Sequence, residues 1–188
     1  MTTAVDERER LLLLLRDRSF RTGDFVLSSG ARASYYIDAR LTTMSGMGQL
    51  LVGRTGLAML DAVGWQPSAI GGLTLGADPV AYAIAHAAAL AGRSLDAFTV
   101  RKEPKDHGTG RRIEGPLADG ATVVVVEDVV TTGASALNAI DAVSEVGAHV
   151  LGVFALVDRE QGGREKLLER GFSLVTSFRT SDLTAGAT

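Results

Sequence analysis

The chain has 188 residues, a formal net charge of −3 and no cysteine; 46% of it is apolar and 22% charged. These are the proportions of a globular protein, and the length predicts one domain with a core that needs no disulfide or metal staple. Lack of cysteine excludes thiolate zinc sites, disulfide scaffolds and cysteine nucleophiles together and fits a reducing compartment, while mild acidity speaks against wholesale nucleic-acid coating.

Residues 6–18 predict a helix, with acidic residues leading and a leucine stripe facing the core. The five leucines at 11–15 lie between Arg8, Glu9, Arg10 and Arg16, and the run is far shorter than the ~20 apolar residues a bilayer span needs. The apolar stretch from Pro79 to Ala91 is also too short and carries His86. No basic region precedes an apolar run at the N-terminus, so no secretory signal is expected and the protein reads as cytoplasmic, with no membrane partner. Residues 19–41 predict two short strands, around Phe25 and around Tyr35-Tyr36-Ile37, joined through the glycine turn Ser28-Ser29-Gly30.

Helical spacing returns over 46–63. The chain then alternates: a strand at 69–73, an alanine-rich helix at 77–91, a strand at 95–101, a β-branched strand at 122–126, a helix at 135–146, a strand at 150–157, a helix at 165–170 and a last strand at 172–178. This alternation predicts an α/β fold, its central sheet mostly parallel and flanked by helices. Residues 1–41 with 172–178 are expected to form a small hood, and 180–188 a frayed tail. One stretch, 102–121, has no apolar period and is rich in glycine, proline and charge; a connection of that length is expected to be functional.

The most specific string is Thr122 to Ser135, TVVVVEDVVTTGAS. Four valines deliver a buried strand, Glu127 and Asp128 stand at its expected end, and Val129-Val130-Thr131-Thr132-Gly133-Ala134-Ser135 leads into a helix. Ligands of open α/β sheets bind outside the carboxyl ends of strands, and a Thr/Gly turn at a helix N-terminus aims amides and a positive dipole end at an anion. The carboxylates would repel that anion but accept hydrogen bonds from hydroxyls, so the pair of features describes a phosphorylated sugar. Either carboxylate alone also fits an ordinary N-cap region. No Gly-Lys dipeptide and no G-x-G-x-x-G occurs, which excludes a P-loop and a dinucleotide fingerprint.

The string resembles the phosphoribosyl-diphosphate signature of type I phosphoribosyltransferases. A second string, Arg101-Lys102-Glu103-Pro104-Lys105-Asp106-His107-Gly108-Thr109-Gly110-Arg111-Arg112, carries five basic and two acidic residues in a chain of negative total charge. Alone it also fits a solvated basic loop; beside a phosphate site it has the sign an anionic partner requires. Its glycines permit movement, its lysines would neutralise a departing diphosphate, and His107 would donate a proton near neutral pH. This loop is similar to the R-K-x-x-K-x-H-G-x-G of the orotate phosphoribosyltransferases. Ser28-Ser29-Gly30 followed by Ser34-Tyr35-Tyr36-Ile37 resembles that family's orotate-binding segment, and Val157-Asp158-Arg159 its strand end with a carboxylate-binding arginine. Tyr36 alone reads either as a base contact or as core packing.

The resemblance implies transfer of a 5-phosphoribosyl group from 5-phosphoribosyl 1-diphosphate to orotate, giving orotidine 5′-monophosphate and diphosphate in pyrimidine biosynthesis. It implies that residues 131–135 hold the 5′-phosphate, Glu127 and Asp128 the ribose, Arg101, Lys102, Lys105 and His107 the leaving diphosphate, and Arg159, Tyr36, Thr131 and Ser28 the base. It implies Mg²⁺ carried mainly by the substrate rather than by protein ligands, and a homodimer with shared active sites. Departures from the family pattern are Ser28, where many members carry lysine, the segment around Gly76, where many also carry one, and Glu127, where aspartate is usual. Two other readings remain: the same fold acting on a purine or uracil, and a non-catalytic regulator that senses phosphoribosyl diphosphate.

Overall fold

The computed structural model describes residues 4–26, 32–103 and 112–185. The chain opens with α1 (Ala4–Arg18), then an antiparallel ribbon of β1 (Phe20–Val26) and β2 (Arg32–Ile37), the one-turn α2 (Arg40–Thr43) and α3 (Gly46–Ala62). There follow β3 (Ala69–Leu73), α4 (Ala77–Leu90), β4 (Asp96–Val100), β5 (Ile113–Glu114), β6 (Thr122–Val130), α5 (Ala134–Glu145), β7 (His149–Asp158), α6 (Gly163–Glu169), β8 (Leu174–Arg179) and α7 (Thr180–Thr184).

The main sheet runs β5-β4-β3-β6-β7-β8, with every pairing parallel except the edge pair β4–β5. The valines of β6 show why it must be covered on both sides. Val124 and Val126 join Leu11 and Leu15 of α1, Leu60 of α3 and Ile84 of α4 in one core. Val123 and Val125 join Ile140 and Val143 of α5 and Leu167 of α6 in the other. The period-2 alternation of the strand thus feeds two cores, as a parallel sheet between helix layers requires.

Strand order reverses between β3 and β6: the chain leaves β3 for β4 on one side and returns to pair β6 on the other. The crevice beyond the carboxyl ends of these two strands is the topological switch point, where ligands of open α/β sheets bind.

Several expectations change. Strand β8 is an edge of the main sheet, so 172–178 is not part of the hood; α1 instead docks against that edge, with the Arg8 Nη2 donating to the Ser177 carbonyl at 2.7 Å and its guanidinium 4.7 Å above the Phe178 ring. The expected frayed tail begins as α7, held by fully buried Leu183. Within 102–121, Ile113 and Glu114 pair with β4, because an edge strand has donors and acceptors to offer. The segment 104–111 lies outside the described residues.

Candidate active site

Glu127 and Asp128 do not cap a strand end as expected: β6 continues to Val130 and keeps both in the ladder region beside β7. Glu127 is therefore 8% exposed, and its Oε1 is buried with no hydrogen-bond partner. Burial pushes its carboxyl up to about 8, with the neighbouring Asp128 charge adding to the effect. Burial also raises the Asp128 carboxyl. The Val129 amide, which donates to its Oδ1 at 2.8 Å, the Asp128 amide and the charge of Arg40 pull it back, and Asp38 adds a little the other way.

A cavity of about 330 Å³ opens at the switch point above these acids. Tyr36, Asp38 and Arg40 line it from the hood side, Leu73 to Gly76 from the turn after β3, Lys102 from the end of β4, and Glu127, Asp128, Val129 and Ser135 from β6 and α5. A smaller space of about 40 Å³ continues from Glu127 along Val129, Val130, Thr131, Thr132, Gly133, Ala134 and Ser135. Gly133 is the N-cap of α5 at φ 76°, a left-handed backbone that glycine adopts without a Cβ penalty. The turn and the N-terminus of a 12-residue helix thus line this space, and a helix N-terminus favours an anion.

Two aromatic neighbours in β2 divide by the strand's alternation. Tyr36 is 42% exposed, tilts against Phe25 at 5.7 Å and faces the cavity. Tyr35 stacks on Phe20 at 5.7 Å and lies 5.1 Å beneath the Arg159 guanidinium. Arg159 Nε and Nη2 are buried without a hydrogen-bond partner, so this side chain has donors to give. Arg159 does not line the 330 Å³ cavity itself. Neither does Arg101, which is exposed and has its Nη1 3.6 Å from Glu114. Ser28, Lys105 and His107 lie outside the described residues.

Sequence reasoning missed Asp38 and Arg40, and met the turn 73–76 only through the family's lysine that is lacking around Gly76. Asp38 and Arg40 form a two-pronged pair, Nε–Oδ1 at 2.8 Å and Nη2–Oδ2 at 3.0 Å, which holds the Asp38 carboxyl below the usual range. An acid and an arginine two residues apart after a strand were the available signal. Arg40 and Lys102 are the cations among the cavity's lining residues. The turn itself carries no charge; it holds a cis peptide between Thr74 and Leu75. At Gly76 a Cβ would collide with the Asp128 carboxylate, so a larger residue here requires Asp128 to move.

Among the described residues no three His, Cys, Asp or Glu side chains converge as a metal cage. No helix among them is long and apolar enough to cross a membrane.

Residues 58–179 match the model of the phosphoribosyl transferase domain family. A curated orotate phosphoribosyltransferase of Aquifex aeolicus is 49% identical over 181 residues, spanning 94% of this chain and 97% of its own. The crystal structure of Mycobacterium tuberculosis H37Rv orotate phosphoribosyltransferase with Fe(III) dicitrate superposes with a TM-score of 0.84 at 45% identity, covering 94% of this chain and 98% of that one. The same enzyme in complex with 5-phospho-α-D-ribosyl 1-diphosphate matches with a TM-score of 0.79 at 41% identity, over the same shares of the two chains.

Proposed function

The chain belongs to the phosphoribosyl transferase family, among the orotate phosphoribosyltransferases, and from that premise we propose that its switch-point cavity transfers a 5-phosphoribosyl group from 5-phosphoribosyl 1-diphosphate to orotate. The product is orotidine 5′-monophosphate, in pyrimidine biosynthesis. The observation that carries this reading is the buried, unpartnered Glu127 carboxyl beside Asp128, one step from an anion cradle of about 40 Å³. An orphaned buried acceptor is costly unless a ligand satisfies it, and ribose hydroxyls beside a 5′-phosphate supply the missing donors.

The amides and hydroxyls of 131–135 hold the 5′-phosphate. Glu127 and Asp128 accept hydrogen bonds from the ribose hydroxyls and fix the sugar. The turn 73–76 and Lys102 face the diphosphate, and Lys105, His107 and Arg101 close on it as it leaves. A ring N–H of orotate gives up its proton to the departing diphosphate or to water as that nitrogen bonds to the anomeric carbon, while the carbon–oxygen bond to diphosphate breaks and its electron pair departs with the diphosphate. Positive charge builds on the sugar, as in glycosyl transfer generally, and the nearby carboxylates stabilise it. Arg159, braced on Tyr35, meets the orotate carboxylate with a planar fork; Tyr36, Thr131 and Ser28 complete the base site.

Mg²⁺ is the required ion. Magnesium favours phosphate oxygens and water over a protein cage, so the substrate would carry it into the cavity, where it would offset diphosphate charge. The protein works in the cytoplasm as a homodimer. Leu41, Met44, Met47 and Leu50 are all exposed along one stretch of α2 and α3, an apolar face of the kind a second copy covers.

The test is diphosphate release with Mg²⁺ and phosphoribosyl diphosphate, offered orotate, uracil, adenine, guanine and xanthine in parallel. Release with orotate alone is expected. Release with a purine or uracil would discard the base assignment, and tight sugar-diphosphate binding without release would favour a sensing regulator.

A further inference from the structure

Asp78 is a buried carboxylate, 7% exposed, that the transfer reaction leaves without a part. It stands in the first turn of α4, behind the cavity wall. Its Oδ2 accepts from the Thr74 hydroxyl at 2.7 Å and its Oδ1 from the Thr99 hydroxyl at 2.8 Å. A carboxylate only accepts, so both threonines must donate. The Thr99 oxygen, having given its proton to Asp78, then accepts from the Tyr82 hydroxyl, 2.8 Å away. The order of donors is thus fixed from Tyr82 through Thr99 to Asp78, with Thr74 entering from the opposite side.

The two threonines belong to different walls of the site. Thr74 is in the turn after β3, and Thr99 is in β4, three residues before Lys102. Both walls line the cavity that also holds Asp128. No side chain in Leu73-Thr74-Leu75-Gly76 carries charge, so what the turn offers an anion comes from its backbone. The Thr74 amide already donates to the Val100 carbonyl at 2.8 Å, and its hydroxyl is committed to Asp78. Amides recognise an anion by direction rather than by charge, so their value depends on the backbone being held still.

We propose that Asp78 is a positioning residue for the diphosphate half of the substrate: through Thr74 and Thr99 it locks the turn 74–76 and the root of the Lys102 segment at one spacing. This rests on the sugar-diphosphate reading above and deepens it. Asp78 touches no reacting atom; it acts through the backbone of the turn.

The test compares wild type with Thr74→Val, Thr74→Ser and Asp78→Asn. Valine keeps the shape and removes the hydroxyl, serine keeps the hydroxyl, and asparagine leaves one threonine without an acceptor. Calorimetry with three ligands reads the effect: phosphoribosyl diphosphate, inorganic diphosphate and ribose 5-phosphate. Thr74→Val and Asp78→Asn should bind the two diphosphate ligands about tenfold more weakly, the loss expected of one hydrogen bond to a charged group. Ribose 5-phosphate, which has no diphosphate, should bind as to wild type, Thr74→Ser should stay within about twofold of it, and the KM for orotate should not move. Unchanged diphosphate affinity in Thr74→Val overturns the proposal, as does an equal loss for ribose 5-phosphate, which would mean general damage. Should Asp78→Asn fail to fold, Thr74→Val and its serine rescue decide alone. Wild-type protein that binds none of the three ligands would overturn the sugar-diphosphate reading and this inference with it.

Discussion

Raising the pH from 7 to 9 should tighten binding of phosphoribosyl diphosphate to the wild-type protein about tenfold, and Glu127→Gln should abolish that gain. The Glu127 carboxyl sits at about 8, so roughly one site in ten is ionised at pH 7 and roughly nine in ten at pH 9. Ribose hydroxyls that donate to this carboxylate can do so only once its proton has gone. At pH 7 the deprotonation costs about 1.4 kcal/mol, a factor of about ten in affinity; at pH 9 it costs almost nothing. The window lies above the second ionisation of a phosphate monoester, near pH 6, so the ligand's own titration contributes little. Calorimetry at constant ionic strength and Mg²⁺, in two buffers of different ionisation enthalpy, reads both affinity and protons. Wild type should release close to one proton per site at pH 7. The free protein supplies the opposite sign. A carboxyl raised on folding binds its proton more tightly in the native state, so its stabilising effect is complete below about 4.5 and is lost as pH rises to about 8. The slope across that range is at most about 1.4 kcal/mol per pH unit; Glu127→Gln should flatten it. An affinity that stays level from pH 7 to 9 in wild type, or one that rises in parallel in Glu127→Gln, refutes the assignment of Glu127 to the ribose.

Arg159→Lys should raise the KM for orotate at least about tenfold, because a point charge cannot match a carboxylate in two places, while the KM for phosphoribosyl diphosphate stays put in steady-state kinetics. Gly133→Ala should cost roughly 1–2 kcal/mol in a denaturant melt, since its φ is 76° and an added Cβ would stand 3.2 Å from the Gly163 carbonyl oxygen; phosphate protection of the mutant should be weaker too. Lys105→Ala should lower turnover on the order of a hundredfold yet shift the melt by less than about 0.5 kcal/mol, so unchanged turnover would remove Lys105 from the reaction.

Local pattern sufficed wherever one element decides its own fate. The run Ala69 to Leu73 matches β3 end to end, and the α4 and α5 boundaries fall within a residue of the expected ones, because β-branched and small-residue runs end at turn residues on both sides. Boundaries failed where a neighbour decided them. The reach of β6 past Val126 to Val130 depends on β7 continuing beside it to Asp158, so Glu127, expected at the strand's end, is instead buried within it. The place of 172–178 depended on which edge of the sheet was open, and α7 on a core pocket for Leu183; neither is written in its own periodicity. The single-chain order of β1 and β2 was legible, but which tyrosine would face the cavity was a matter of register.

The candidate site divides along the same line. The contiguous string 127–135 announced itself, because acids, hydroxyls and a glycine must be adjacent in sequence to build one turn at one helix start. The turn 73–76 did so only faintly, because none of its side chains carries charge. The lysine that the family carries around Gly76 is lacking here, which removes positive charge from the expected site. In the folded chain Gly76 lies so close to the Asp128 carboxylate that a Cβ cannot enter without displacing it, and cations reach the cavity from Arg40 and Lys102 instead. A flexible lysine can follow an anion that shifts; a backbone turn cannot. On the reading proposed above, a turn that meets the anion through its backbone needs rigidity in place of charge, and the buried Asp78, which accepts from Thr74 and Thr99, would supply it. The departure from the family's pattern and the unused carboxylate are, on this argument, two sides of one arrangement.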